Sequence, residues 1–165
     1  MSLFRFSILL PFVLLIAACG NDDEEIALEP CESETISIEE FAAADSLTYT
    51  QLNNTGMYYY ISDSGDMDRP TVQSTVTAHY RGFFTDGQIF DQTTTASGPL
   101  RFPLTNVIEG WQLGVPLIGE GGEIRLLIPA ELGYGTDPRY DNFGRCAIPG
   151  GSDLIFDIVL VSFTG

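Results

Sequence analysis

The chain has 165 residues, enough for one domain with a single core and an appended arm but too few for two full domains. It contains no lysine, and its seven arginines face 23 acidic residues for a net charge of −16, which excludes a surface that reads nucleic-acid phosphates. No basic residue lies between Arg5 and Arg69, whereas residues 19–68 hold 13 acidic ones, so the charge belongs mostly to a solvated arm.

MSLFRFSILLPFVLLIAAC opens the chain with one arginine, an apolar run from Phe6 to Ala18 that is short for a bilayer span, and small residues before a cysteine. Residues 1–18 therefore read as a secretory signal. Ile16-Ala17-Ala18-Cys19 resembles the bacterial lipobox, which implies a lipid on Cys19 and an anchor on a bacterial membrane outside the cytoplasm, the outer membrane at its periplasmic or external face. Residues 19–46 then read as a lipidated acidic tether, with a short helix at Ser37–Ala44 where Ser37-Ile38-Glu39-Glu40 has capping-box spacing. In an oxidising compartment Cys31 and Cys146 can pair and staple this arm to a distant loop, or both can stay free. Two cysteines and one histidine without CxxC or HxxxH spacing do not supply a zinc shell, so neither metal nor cofactor is expected.

The folded part is read as residues 47–165. Met57-Tyr58-Tyr59-Tyr60-Ile61, closed by Ser62-Asp63-Ser64-Gly65, has the signature of a first strand and turn. Thr75 to Gly82 alternates, with Val76, Ala78 and Tyr80 on the core face and Thr77, His79 and Arg81 on the other. An Asp86-Gly87 turn predicts a hairpin between Phe84 and Ile89. One helical turn is expected at Val107–Gly114, presenting Ile108, Trp111 and Leu113 inward. Strands follow at Glu123–Ile128 and Asp153–Phe163. Gly119-Glu120-Gly121-Gly122 lacks the Gly-Lys-Ser/Thr ending of a phosphate loop and reads as a turn, and His79, without a partner nucleophile, reads as structural. Four or five antiparallel strands with one short helix make an α+β domain. Residues 133–151, GYGTDPRYDNFGRCAIPGG, show no apolar period, and a structureless loop of that length in a small domain points to function.

Tyr80-Arg81-Gly82, Asp86-Gly87 with Phe90-Asp91, Pro99-Leu100-Arg101-Phe102, Val107-Ile108-Glu109-Gly110-Trp111, Gly133-Tyr134-Gly135, Ile148-Pro149 and Leu154-Ile155-Phe156-Asp157-Ile158 fall in order over about 110 residues. Each piece is common, but the ordered set resembles the FK506-binding (FKBP-type) peptidyl-prolyl cis/trans isomerase domain. That resemblance implies a twisted antiparallel β-sheet wrapped over one short α-helix. It also implies an aromatic pocket for the proline ring of a polypeptide substrate, open to FK506-like macrolides. Trp111 would form the floor, with Tyr80, Phe90, Phe102, Val107, Ile108 and Phe156 as walls. The Ile108 N–H and the Tyr134 hydroxyl would hold substrate carbonyls, Asp91 would sit at the edge, and Ile148 and Leu100 would complete the rim. The chain departs from the family pattern at Leu100, where an aromatic is common, in a short Thr105-Asn106 connection, and in the long 133–151 loop, whose residues Pro138–Arg145 would set peptide preference. A folding assistant for extracytoplasmic proteins is the resulting expectation; the second is a lipid-anchored chaperone or peptide-binding module with little turnover.

Overall fold

The computed structural model describes Cys31 and residues 35–165; the signal, Cys19 and the acidic run after it lie outside the described residues. The sheet is built around two alternating segments. One is the strand Thr75–Phe83, and the other is Leu154–Thr164, which runs antiparallel to it along its whole length. In chain order the strands are β1 (Thr50–Gln51), β2 (Tyr58–Asp63), β3 (Thr75–Phe83), β4 (Ile89–Gln92), β5 (Leu100–Pro103), β6 (Glu123–Ile128), β7 (Arg139–Tyr140), β8 (Cys146–Ile148) and β9 (Leu154–Thr164). Two helices join them, α1 (Ile38–Ala44) and α2 (Glu109–Gly114). The main sheet runs β1-β2-β6-β9-β3, and β4 and β5 share the outer edge of β3; every pairing is antiparallel. This is the α+β architecture expected, with more strands than the periodicity alone suggests.

Because side chains alternate across a strand, Val76, Ala78, Leu126, Ile128, Leu154, Phe156, Ile158 and Leu160 share one face, where they form the main core with Trp111 and Val115 of the α2 region. Gly110 makes that contact possible: a Cβ there would come within 2.5 Å of the buried Ile128 side chain. The helix can therefore lie directly on β6. Among the described residues no helix is long and apolar enough to cross a membrane.

The opposite face carries the first departure from expectation. α1 starts with the capping box that the spacing predicts, Ser37 Oγ accepting from the Glu40 N–H and the Glu40 carboxylate accepting from the Ser37 N–H. It is not part of a free tether. Ile38 is fully buried with Phe83, Leu127 and Ile155, and Phe41, Ala42 and Tyr49 pack beside them. The packed body thus begins well before residue 47. The reason is that Leu127, Ile155 and Phe83 place apolar side chains on the outer sheet face, which an amphipathic turn can cover.

Polar contacts hold the same segment. Asp153 accepts from the Ile38 N–H at 3.1 Å and from the Ala130 N–H at 3.0 Å, capping the starts of α1 and of the 3₁₀ turn Ala130–Leu132 together. We expect Asp153→Ala to cost about 2 kcal/mol, since two charge-assisted bonds are lost at once and buried N–H groups are left to find water. Chemical denaturation reads this directly, and an unchanged midpoint would remove Asp153 as the clasp. On the same face Arg125 makes a forked pair with Asp157 (2.5 and 3.0 Å) and reaches Asp45 at 3.3 Å; Arg81 adds a 2.6 Å contact to Asp157, and the Tyr49 hydroxyl donates to Asp45.

Burial, followed by the Asp45 bond, pushes the Tyr49 hydroxyl up to about 12 from its ordinary 10. A raised folded-state value means the protonated form is favoured by folding. Tyr49's contribution is therefore complete below pH 10 and is lost as pH climbs from 10 toward 12. Denaturation midpoints over that window should fall more steeply in wild type than in Tyr49→Phe; parallel curves would show that Tyr49 is not coupled to folding.

Candidate active site

The concave side of the sheet and the start of α2 enclose a cavity of about 300 Å³. Each element contributes what its geometry places there: β3 gives Tyr80, β4 Phe90 and Asp91, β5 Leu100 and Phe102, β9 Phe156, the turn into α2 Asn106, Val107 and Ile108, and α2 itself Trp111. Tyr134 closes the list from the segment after β6. Phe90 and Asp91 are consecutive, yet both line the cavity. The β3–β4 pairing shifts register at Gly82 and Phe83, and such a bulge re-aims neighbouring side chains.

Trp111 is 4% exposed and forms the centre of an aromatic cluster. Its ring lies edge-on to Tyr80 at 5.4 Å, Phe102 at 5.4 Å and Phe156 at 5.3 Å, and Phe156 meets Phe90 edge-on at 5.5 Å. These T-shaped contacts suit ring quadrupoles and help fix the wall positions. Gly82 allows the Phe90–Phe156 contact, because a Cβ there would stand 2.7 Å from the Phe90 ring and 2.8 Å from that of Phe156. Its role is invisible to periodicity, as is that of Phe84, which backs Phe90 at 5.0 Å.

Two hydroxyls supply the polar groups. Tyr80 donates to Asp91 at 2.6 Å, and burial, with that bond and the Asp91 charge, raises its hydroxyl above the ordinary tyrosine range. Tyr134 is raised in the same direction by burial and then by Asp91. Both therefore remain protonated donors at neutral pH. The Arg139 guanidinium lies 5.2 Å from the centroid of the Tyr134 ring. At the N-cap of α2, Ile108 offers a backbone N–H that no group among the described residues engages. His79 faces the other side of the sheet and bonds Thr93 at 3.2 Å.

Of the residues that the family pattern points to, the cavity gathers Tyr80, Phe90, Asp91, Leu100, Phe102, Val107, Ile108, Trp111, Tyr134 and Phe156. Ile148 is the exception. It is 7% exposed, belongs to the main core and pairs with Arg139, so its apolar side chain anchors the 133–151 segment instead of lining the rim. Asn106 lines the cavity without being foreseen; a lone polar residue in a turn carries no sequence signal for it. The 133–151 segment is not structureless either, since β7 and β8 form a hairpin. Next to its turn, at the Tyr140–Cys146 pair, it is joined to the N-terminal segment by a Cys31–Cys146 disulfide with Cα atoms 5.5 Å apart. A larger recess of about 660 Å³ lies on the outer sheet face, but its cations Arg81 and Arg125 are paired with Asp157 and Asp45.

One short helix against an antiparallel sheet, with an indole-floored, largely aromatic cavity between them, defines the α+β class of this chain. Residues 67–161 match the model of the FKBP-type peptidyl-prolyl cis-trans isomerases. The chain belongs to that family. It is 38% identical over 124 residues to a probable FKBP-type isomerase, FkpA, of Neisseria meningitidis, covering 75% of this chain and 43% of that protein. A probable FKBP-type isomerase of Haemophilus influenzae is 35% identical over 144 residues, 87% of this chain and 56% of that one. The crystal structure of FkpA from Escherichia coli superposes with a TM-score of 0.65 at 36% identity, over 76% of this chain and 55% of the other. A peptidyl-prolyl cis-trans isomerase from Pseudomonas syringae gives 0.64 at 28% identity, over 77% and 90%. The chain thus spans about half the length of the curated relatives it matches.

Proposed function

We propose that this protein is a peptidyl-prolyl cis/trans isomerase that acts on X–Pro bonds of extracytoplasmic polypeptides, assists their folding, and is held to a membrane by a lipid on Cys19. The observation that carries the catalytic part is the cavity itself: about 300 Å³, lined by Trp111, Tyr80, Phe90, Phe102 and Phe156, with Asp91, Asn106 and Tyr134 as its polar members.

An X–Pro amide resists rotation by about 18–20 kcal/mol because its C–N bond has partial double character. Rotation makes and breaks no covalent bond, so the site needs neither nucleophile nor base. What helps is an environment that binds the twisted amide better than the planar one. With the proline ring seated on Trp111, dry aromatic walls disfavour the charge-separated resonance form. The Ile108 N–H and the Tyr134 hydroxyl are placed to hold flanking carbonyls while the amide turns. The Tyr80–Asp91 bond keeps one wall ring in a single orientation. Lowering the barrier by about 8 kcal/mol corresponds to roughly a 10⁶-fold acceleration.

A cis/trans assay on an Ala–Pro tetrapeptide tests the reading, together with quenching of Trp111 fluorescence by FK506. Turnover above the thermal background and saturable quenching are expected; a folded chain showing neither would overturn it. For the anchor, incorporation of labelled fatty acid that Cys19→Ser abolishes is the expected result, and membrane retention of the Ser variant would refute it.

A further inference from the structure

The isomerase chemistry makes no use of the turn of the β7–β8 hairpin, where Phe143 is 82% exposed and Tyr140 58% exposed. A single exposed apolar side chain is ordinary. These two stand on a turn that holds its shape: Asp141 Oδ1 accepts from the Phe143 N–H at 2.8 Å and from the Arg145 N–H at 3.0 Å, and Arg145 closes on the Asp141 carboxylate at 2.7 Å. The Arg145 guanidinium lies 5.2 Å from the Phe143 ring centroid. In a chain of net charge −16, residues 137–146 set Asp137 and Asp141 against Arg139 and Arg145, so this stretch is neutral. A layer of lipid phosphates does not repel it. Exposed aromatics beside arginines are typical of side chains at a membrane–water interface, where the rings reach inward and the guanidinium stays with the headgroups.

Covalent geometry puts the same turn close to the anchor. Cys31 is bonded to Cys146 with Cα atoms 5.5 Å apart, and Phe143 is three positions from Cys146, so Phe143 stays within about 16 Å of Cys31. Cys31 is twelve positions from Cys19, a span of at most about 43 Å. Without the bond, the first residue of the described core after Cys19 is Ile38, seven positions further along and packed on the outer face of the sheet. The disulfide thus decides which side of the domain the tether holds near its lipid.

We propose that the β7–β8 hairpin rests on the membrane that carries the Cys19 lipid, with the Phe143 and Tyr140 rings among the headgroups and the Cys31–Cys146 bond delivering them there. The proposal rests on the Cys19 anchor proposed above. Arg139 covers the ring of Tyr134, which lines the cavity, so a seated hairpin holds the cavity beside the bilayer surface. Polypeptides that emerge at that surface are then the first whose prolines it meets.

The test uses the full chain, expressed in a bacterium fed labelled fatty acid and reconstituted in phosphatidylcholine vesicles with dibrominated acyl chains, which quench indoles lying in the interface. Buried Trp111 supplies the background, read from wild type. Phe143→Trp adds an indole at the turn, and its emission should fall by about half relative to unbrominated vesicles. Met67→Trp is the control. Met67 is 94% exposed on the loop whose Asp66 N–H donates to the Glu120 carbonyl before β6 begins, whereas the hairpin follows the other end of β6. No quenching is expected there. Cys31→Ser, added to Phe143→Trp and folded by near-UV circular dichroism, should remove most of the effect. An unquenched indole at position 143 in a chain that carries the fatty-acid label overturns the hairpin contact and leaves the anchor standing. Equal quenching at positions 67 and 143, or quenching that Cys31→Ser leaves unchanged, overturns delivery by the disulfide. Absence of the label overturns the anchor, and the hairpin's seat with it.

Discussion

Phe90→Ala should lower kcat/KM for an X–Pro peptide by about a hundredfold, the rate equivalent of roughly 2.7 kcal/mol of lost transition-state binding. The ring is half buried, held between Phe84 and Phe156, and it forms cavity wall on one side only. Its removal opens the cavity to water, which stabilises the planar, charge-separated amide that the dry walls disfavour. Trp111→Leu should be at least as damaging to turnover, because the floor contacts Tyr80, Phe102 and Phe156 at once, and it should also cost stability as a large-to-small core change. Tyr80→Phe keeps the wall and loses only the bond to Asp91, so a loss of less than tenfold is expected. This ordering separates a cavity that works by shape and dryness from one that works by proton transfer. If Phe90→Ala is folded by near-UV circular dichroism and turns over at the wild-type rate, the cavity is not the catalytic centre. If Tyr80→Phe is the most damaging of the three, the hydroxyl is doing chemistry that this account does not contain.

Most of the cavity is readable from sequence because its residues lie on strands whose alternation is clean, or in a turn flanking a tryptophan. Tyr80 shares the core face with Val76 and Ala78, and Phe156 does so with Leu154 and Ile158. The elements that escape are short or held by interactions that leave no period. β5 has four residues and ends in proline, and it exists because β3 is long enough to pair with two partners on one edge. β7 and β8 have two and three residues, and their hairpin depends on the Asp141 side chain as much as on the ladder. The docking of α1 is masked by the acidic composition of its surroundings; what decides it is Ile38 meeting Leu127 and Ile155, residues far away in sequence. Ile148 shows the reverse error. A motif places it in order along the chain, but only the pairing with Arg139 turns it toward the core.

Cys146→Ser, or reduction of the wild-type chain, should lower the free energy of unfolding by about 4–5 kcal/mol, the chain-entropy value for a loop of this size. The bond closes a separation of 115 residues, nearly the whole described chain, so it removes more freedom from the unfolded ensemble than any local contact could. Little of the effect should come from the folded state. α1 is already seated by Ile38 and by the Asp153 clasp, and β7–β8 keeps its own ladder and the Asp141–Arg145 closure. Two consequences distinguish this account from one in which the bond shapes the site. The melting temperature should drop by about 15 °C for a domain of this length. Turnover of a short prolyl peptide at 25 °C should change less than threefold. Dithiothreitol should reproduce the first effect in wild type and do nothing further to Cys31→Ser. Equal stability with and without reductant would mean that the two cysteines do not pair in solution. A large loss of turnover with little loss of stability would mean that the bond acts through the hairpin on the cavity itself.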